Sequence, residues 1–357
     1  MINLAKLEYR VQIVLRDGTQ LDVTNLTTGL GFSEGKKELA AKIQMKLANA
    51  AYQGGTLFEQ IQPMTPIFIY ANARGDFEEV MRGNVAKLEL TETNGEFNLA
   101  LETNDEAQAL RHNQDDYYFS PDSSSTSILE KILSDHGVPH EIQIEDAAHA
   151  KKIYRAKNLS DMIADVLKDL KEKTGKFYFV RAKEGVVQII ERGTNSEIYH
   201  FDADENLMRI KESFDASKTV TQVKIVGMER KETKPAVQGV VTGRNDLGTR
   251  QAIYHKAEKE TAAEAETAAK NILKEKGGIE RKTSIEAADL PFLRKGDRIR
   301  IRSSTGTGYF FISTISHNAV TQRMTAELDF DKDFSESQGL PIYDLNYANE
   351  YDASAPS

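Results

Sequence analysis

Alternation of apolar and polar positions dominates the first hundred residues. The run from Leu4 to Leu15, broken by Asp17-Gly18 and resumed from Leu21 to Leu26, has the form of a β-hairpin. From Lys37 to Asn49 propensity and period disagree. Ala, Lys, Leu and Met favour helix, yet Leu39, Ala41, Ile43, Met45 and Leu47 alternate with Ala40, Lys42, Gln44, Lys46 and Ala48. Period two predicts a strand, because the neighbouring segments alternate as well. After Gly54-Gly55, strands are expected at 66–70, 78–85 and 97–101, and short strands separated by Gly and Asn turns indicate a barrel or sandwich.

Beyond a polar stretch from Asn113 to Ser127 the period changes. Ser127 with Glu130 reads as a capping box ahead of Ile128, Leu129, Ile132 and Leu133, and Gly137-Val138-Pro139 closes that helix. Leu159, Met162, Ile163, Val166, Leu167 and Leu170 then form an unbroken helical stripe, capped by Asn158 and ended by Gly175. A hairpin turning at Lys183-Glu184-Gly185 follows. From about residue 200 strand signals return at 220–226, 237–242, 298–302, 309–315 and 324–330. One helix, 258–276, interrupts them, acidic early and basic late, with a narrow side of Ala262, Ala265, Ala269, Ile272 and Leu273 suited to lying on a sheet. The expected organisation is mainly β with α+β: a first β-barrel domain (1–104), an inserted α+β domain (105–199), a second β-barrel domain (200–335) and a flexible tail (336–357).

The chain's 357 residues exceed one domain, and 46 basic against 55 acidic residues leave a net charge of −9, which argues against a general nucleic-acid binder. With no cysteine there is no disulfide framework, thiolate nucleophile or sulfur-ligated metal. No stretch approaches the ~18 apolar residues of a membrane span, and no leader pattern opens the chain, so synthesis in the cytoplasm without membrane insertion is expected. At 39% hydrophobic and 28% charged, the composition suits a chain whose core is completed partly by other subunits.

Chemical motifs are sparse. The segment Gly29 to Lys37 has Leu30 and Lys37 where a phosphate loop needs Gly and Ser or Thr, and Asp202, Asp204 and Asn206 lack the Gly and Glu that complete a calcium loop. His136 and His140 are separated by Gly137 and Pro139, which deny them a common helical face. No nucleophile elbow is present, so no catalytic, cofactor or metal residue is assigned. The strongest charge pattern is a basic strand, Arg298, Arg300 and Arg302 alternating with Ile299 and Ile301, mirrored by Glu327, Asp329, Asp331 and Asp333 around Leu328 and Phe330. Arginine forks suit carboxylates, which makes Arg298, Arg300, Arg302, Glu327, Asp329 and Asp331 a candidate subunit or partner interface. Tyr343, Tyr347 and Tyr351, four apart in the acidic tail, are placed to dock as one helical face, against a reading of plain disorder.

The order of these segments carries a resemblance. Phe292-Leu-Arg-Lys-Gly-Asp297-Arg-Ile-Arg-Ile301, then Gly308 to His317, then Met324-Thr-Ala-Glu-Leu328 is similar to the closing strands of phage baseplate hub proteins, and 156–190 is similar to their helix-hairpin unit. The chain resembles the late-control protein D-like hubs of contractile-tailed phages and tailocins, which are related to the base of the type VI secretion spike. The resemblance implies a homotrimer with two similar barrels per chain, a symmetry adapter between a six-fold tail tube and a three-fold central spike. It implies tail tube, central spike and baseplate wedge proteins as partners, and location in the tail baseplate of a virion or tailocin particle. DNA is then expected to pass an acidic lumen without specific binding. A tail-associated cell-wall hydrolase is the alternative. The first domain departs from the pattern: its Gly-Asp turn is replaced by Gln62-Pro-Met-Thr-Pro66.

Overall fold

The computed structural model describes residues 6–36, 38–73, 75–227, 236–244, 246–257, 260–303, 306–331 and 342–344. The protein is mainly β. The N-terminal segment forms β1 (Tyr9–Val14), β2 (Gln20–Asp22), β3 (Thr27–Glu34), β4 (Lys42–Ala48), β5 (Ala51–Tyr52), β6 (Gly55–Thr56), the single turn α1 (Leu57–Gln60), β7 (Pro66–Ala71), β8 (Glu78–Thr93) and β9 (Glu96–Asn104). Period wins over propensity in β4, where Ile43, Met45 and Leu47 are buried and Lys42, Gln44 and Lys46 exposed. A helix would have spread these three apolar side chains around its axis. The β8–β9 hairpin runs further than predicted, its outer residues lying in solvent.

The middle segment contains α2 (Ala109–His112), β10 (Gln114–Phe119), α3 (Ser125–Asp135), β11 (His140–Gln143), β12 (Lys152–Asn158), α4 (Leu159–Thr174), β13 (Tyr178–Lys183) and β14 (Val186–Glu191). The predicted stripe of α4 is buried at all six positions, and Gly175 ends the helix in the left-handed conformation that favours glycine. The start of α3 corrects the expected cap: Ser124, not Ser127, is the N-cap, its Oγ accepting from Ser127 N at 3.2 Å. Serines at both positions offered the same chemistry, and the bridge between Ser124 and Ala148 selects the earlier one.

The C-terminal segment adds β15 (Ile198–Asp202), β16 (Leu207–Asp215), β17 (Gln222–Val226), β18 (Val237–Thr242), β19 (Gln251–His255), α5 (Ala262–Lys276), β20 (Glu280–Ala288), β21 (Arg298–Ser303), β22 (Gly306–Asn318), β23 (Arg323–Asp331) and β24 (Ile342–Asp344). Ile342–Asp344 pairs in parallel with β15, so this part of the expected flexible tail is a strand rather than a helical face. Tyr347 and Tyr351 lie outside the described residues.

By compactness the chain divides into residues 1–210 with 284–357, and residues 211–283. The smaller unit is a three-stranded sheet, β18-β17-β19, with Ala265 and Ala269 of α5 packed on Val223 and Ile225. Ala262, expected on this side, is exposed.

The first and last β segments share a fourteen-stranded sheet, of which β16 and β20 run past residues 210 and 284, and one hydrophobic cluster. The sheet's strand order contains a repeat: β3-β4-β9-β8-β7-β1 in the N-terminal half corresponds in order to β16-β20-β23-β22-β21-β15 in the C-terminal half, the last strands differing in direction, β1 antiparallel to β7 and β15 parallel to β21. The correspondence reaches the register. Val85 and Lys87 flank a shift between β8 and β9, and Ile312 and Thr314 flank the same shift between β22 and β23. The halves join where Ile315, Ser316, His317 and Asn318 of β22 pair with Glu34, Ser33, Phe32 and Gly31 of β3. The sheet stays open, with no closed barrel among the described residues.

Candidate functional site

The basic strand behaves as its alternation predicts: Ile299 and Ile301 are buried, and the arginines take the other face of β21. The acidic strand is not its neighbour. β22 runs between them, so Arg298 is opposite Phe311 and Phe311 opposite Asp329. Arg298 reaches across the Phe311 ring, 5.1 Å from its centroid, and donates from Nε to Asp331 Oδ2 at 2.8 Å. Of the six predicted residues these two are brought together. Asp329 is instead held by Lys36 at 2.9 Å and Arg192 at 3.3 Å, Arg302 pairs with Asp202, and exposed Glu327 accepts from Thr314 at 3.4 Å. Arg300 is half-buried opposite Tyr309.

Arg192, which no sequence pattern singled out, is the centre of this face. It lies 4.2 Å from the Phe177 centroid and 4.0 Å from that of Phe311, while Lys171 covers the far side of Phe177 at 3.9 Å. The alternating stack Lys171, Phe177, Arg192, Phe311, Arg298 ties the end of α4 and the β13–β14 hairpin to the C-terminal sheet. Gly193 beside it is obligatory: its φ is +80°, and a Cβ there would meet Phe311 Cε1 at 2.5 Å.

A second polar cluster is built by the 292–297 turn. Arg294 donates from Nε and Nη2 to the two Glu34 oxygens at 2.7 and 2.9 Å and from Nη2 to Ala182 O at 2.9 Å. Lys295 N adds a bond to Glu34 at 3.0 Å, and Lys295 Nζ donates to Glu38 O at 2.6 Å. Burial alone would push the Glu34 carboxyl up, but Arg294 and Lys295 hold it down at about 2. Asp297 accepts from Arg294 N at 3.0 Å, closing the turn, and from Arg181 at 2.9 Å. Gly296, at φ +91°, lies against the Phe179 ring, where a Cβ would come within 1.5 Å of Cζ. Next to Glu34, Asp105 is pushed up to about 7 by burial while accepting from Ala41 N and Ala107 N at 2.9 and 3.1 Å. The turn thus binds the N-terminal sheet, the middle segment and the C-terminal sheet at one point. A cleft of about 780 Å³ opens beside it, lined by Glu78, Arg82, Lys183, Glu184, Glu197 and Arg294 among others.

The strand-ending His317 is also a fastening. Its Nδ1 is 2.6 Å from Asp289 Oδ1, its Nε2 3.1 Å from Leu293 O, and its ring stacks on Phe32 at 4.4 Å. Tyr9 donates to the other Asp289 oxygen at 2.5 Å.

One constellation has the outline of a hydrolase. Ser125 Oγ is 2.7 Å from His149 Nε2, and His149 Nδ1 is 3.5 Å from Asp169. Ser125 is fully buried, and its hydroxyl donates to Ala147 O at 3.1 Å. Burial, with help from Lys173, pushes the His149 pKa down. Bonds from Ser125 N to Ala147 O and from His149 N to Ser123 O, both 2.9 Å, hold the loop over it, so the hydroxyl has no path to a substrate. Asp202, Asp204 and Asn206 form a turn closed by Asp204 N to Asp202 and Asp202 N to Asn206 bonds of 3.0 and 2.8 Å. Among the described residues no cluster of three or more His, Asp or Glu side chains is arranged to hold a metal. The polar clusters around Arg192, Arg294 and His317 fasten segments to one another.

The YQBQ-like family model matches residues 37–331. The phage-like element PBSX protein XkdQ of Bacillus subtilis (strain 168) is 27% identical over 223 residues, 61% of this chain and 67% of that protein. The fold is similar to the 43 kDa tail protein of prophage MuSo2 from Shewanella oneidensis, with a TM-score of 0.67 at 12% identity over 90% of this chain and 98% of the other. It is also similar to the tail protein from Neisseria meningitidis MC58, with a TM-score of 0.64 at 10% identity over 91% of this chain and 97% of that one.

Proposed function

The chain belongs to the YQBQ-like family, and on that premise we propose that it is the baseplate hub of a contractile phage tail or tailocin, a trimeric adapter between a six-fold tail tube and a three-fold central spike. The observation that carries this reading is the repeated six-strand order with its repeated register shift. Each half acts as one tube-type sheet module. A chain with two equivalent modules converts three-fold symmetry of chains into near six-fold symmetry of modules. The tail relatives support a structural role, and the sealed Ser125 hydroxyl counts against the hydrolase alternative. Tail tube, central spike and wedge proteins are its partners in the baseplate; of the candidate interface residues Arg298, Arg300, Arg302, Glu327, Asp329 and Asp331, the first and last are spent on each other within the chain. Arg302 and Glu327 are the more exposed of them. The net charge of −9 suits a lumen that DNA passes without sticking. Native mass spectrometry of the full chain tests the reading: a trimer without peptidoglycan-cleaving activity is expected, and a monomer that cleaves peptidoglycan overturns it.

A further inference from the structure

The repeat has an asymmetry. In the C-terminal half the end of β22 is covered by β3, through Ile315↔Glu34 to Asn318↔Gly31. Counting from the shared register shift, the counterparts of Ile315 to Asn318 on β8 are Leu88, Glu89, Leu90 and Thr91. β7 leaves β8 at Asn84, and among the described residues no strand lies beside Leu88–Thr91 on that side. Leu90, the counterpart of the buried His317, is 39% exposed.

The strand that would cover it has its own counterpart. β3 corresponds to β16, which is the terminal strand of the sheet path. One chain therefore carries a joined pair, β22 with β3, and both members of the equivalent pair at separate places. Backbone direction agrees. Ala319 N donates to Leu30 O at 3.0 Å, so by two-residue alternation His317 and Ile315 present their N–H groups to β3. Leu90 and Leu88 then present theirs outward. The edges also differ in charge: β8 carries Glu89, which Lys87 pairs at 2.7 Å, and Glu92 on either side of Leu90, whereas β16 carries Arg209 and Lys211 beside the exposed Met208.

We propose that β8 of one copy pairs antiparallel with β16 of a second copy through Leu88–Thr91, reproducing between chains the β22–β3 joint within a chain. This rests on the oligomeric hub reading and names the edges that close it. The contact is heterologous, so repeating it closes a ring if each copy is turned by a third of a circle, as a trimer requires.

The test uses the full chain with native mass spectrometry and sedimentation. Leu90→Pro removes one outward N–H and leaves the inward bonds of Glu89 and Thr91 to β9 in place. It is expected to raise the concentration for half-assembly at least about tenfold. Glu89→Lys with Glu92→Lys, which spares the backbone, should do the same, and adding Arg209→Glu with Lys211→Glu should restore assembly. Circular dichroism reports whether each variant is folded. A wild-type chain that stays monomeric overturns the hub reading together with this pairing. A wild-type trimer indifferent to the proline and to the charge reversal, or reversed charges that the second pair fails to rescue, overturns the pairing alone. Loss of binding to a tail tube protein by variants that still assemble assigns the β8 edge to that partner and likewise overturns it.

Discussion

Two turns occupy the same place in the two halves of the repeat and are held differently. In the C-terminal half Asp297 N donates to Arg294 O, and the Asp297 carboxylate accepts from Arg294 N. In the N-terminal half Thr65 N donates to Gln62 O, and the Thr65 hydroxyl accepts from Gln62 N at 3.0 Å. Gly296 and Met64 both have positive φ, and each donates to the long strand alongside, to Ile312 O and Val85 O. The backbone is one design, whereas only the C-terminal copy is charged, buried along its whole length and tied to two other segments. Gln62-Pro-Met-Thr therefore replaces Arg-Lys-Gly-Asp without loss of the turn, because a hydroxyl can close what a carboxylate closes. What the departure removes is the anchoring.

The largest expected difference follows from the buried pair. Arg294→Ala strands Glu34 without a partner and should cost about 3–5 kcal/mol in equilibrium denaturation, whereas Gln62→Ala should cost about 1 kcal/mol or less. Replacing both partners, Arg294→Met with Glu34→Leu, should recover most of the loss, and failure to recover would break the assignment of the cost to an unpaired charge. The linkage has a sign. Glu34 is held at about 2, below the ordinary 4.5, so its contribution is present above pH 4.5 and lost as pH falls toward 2.

Next in size, Gly296→Ala forces a Cβ into Phe179 at a left-handed position and should cost about 3 kcal/mol or more. Met64→Gly, at a position 70% exposed, should stay within about 1 kcal/mol of wild type. Asp297→Ala loses a cap and an ion pair, for about 2–3 kcal/mol, and Thr65→Ala loses a neutral cap, for about 1 kcal/mol. The remaining effect is one of pH and concerns Asp105, raised to about 7 by burial. The folded protein holds this proton more tightly than the unfolded chain, so stability declines as pH rises from about 4 to about 7. Asp105→Asn should flatten that slope in denaturation midpoints measured across the window.

Strand and helix positions were legible where a period ran long enough, as in β4 and α4, and the turn residues Gly185 and Gly175 marked their own places. The repeat was half legible. Ile67 and Ile69 alternate as Ile299 and Ile301 do, but unlike residues at the turn concealed the match. The basic and acidic strands are legible as faces, but that β22 runs between them within the chain is not, since alternation fixes which face a side chain takes and says nothing of the strand between. Arg192 and the Ser125, His149 and Asp169 group were invisible because their partners are remote in sequence or meet only through folding.

The joint between β3 and β22 also sets an order of events in the cell. Glu34 waits for Arg294, 260 residues later, and Phe32 for His317. On a ribosome the first module therefore remains incomplete until Arg294 and His317 have emerged. A prematurely ended chain lacks the strand that covers β3, and so cannot finish even its first module before meeting its neighbours.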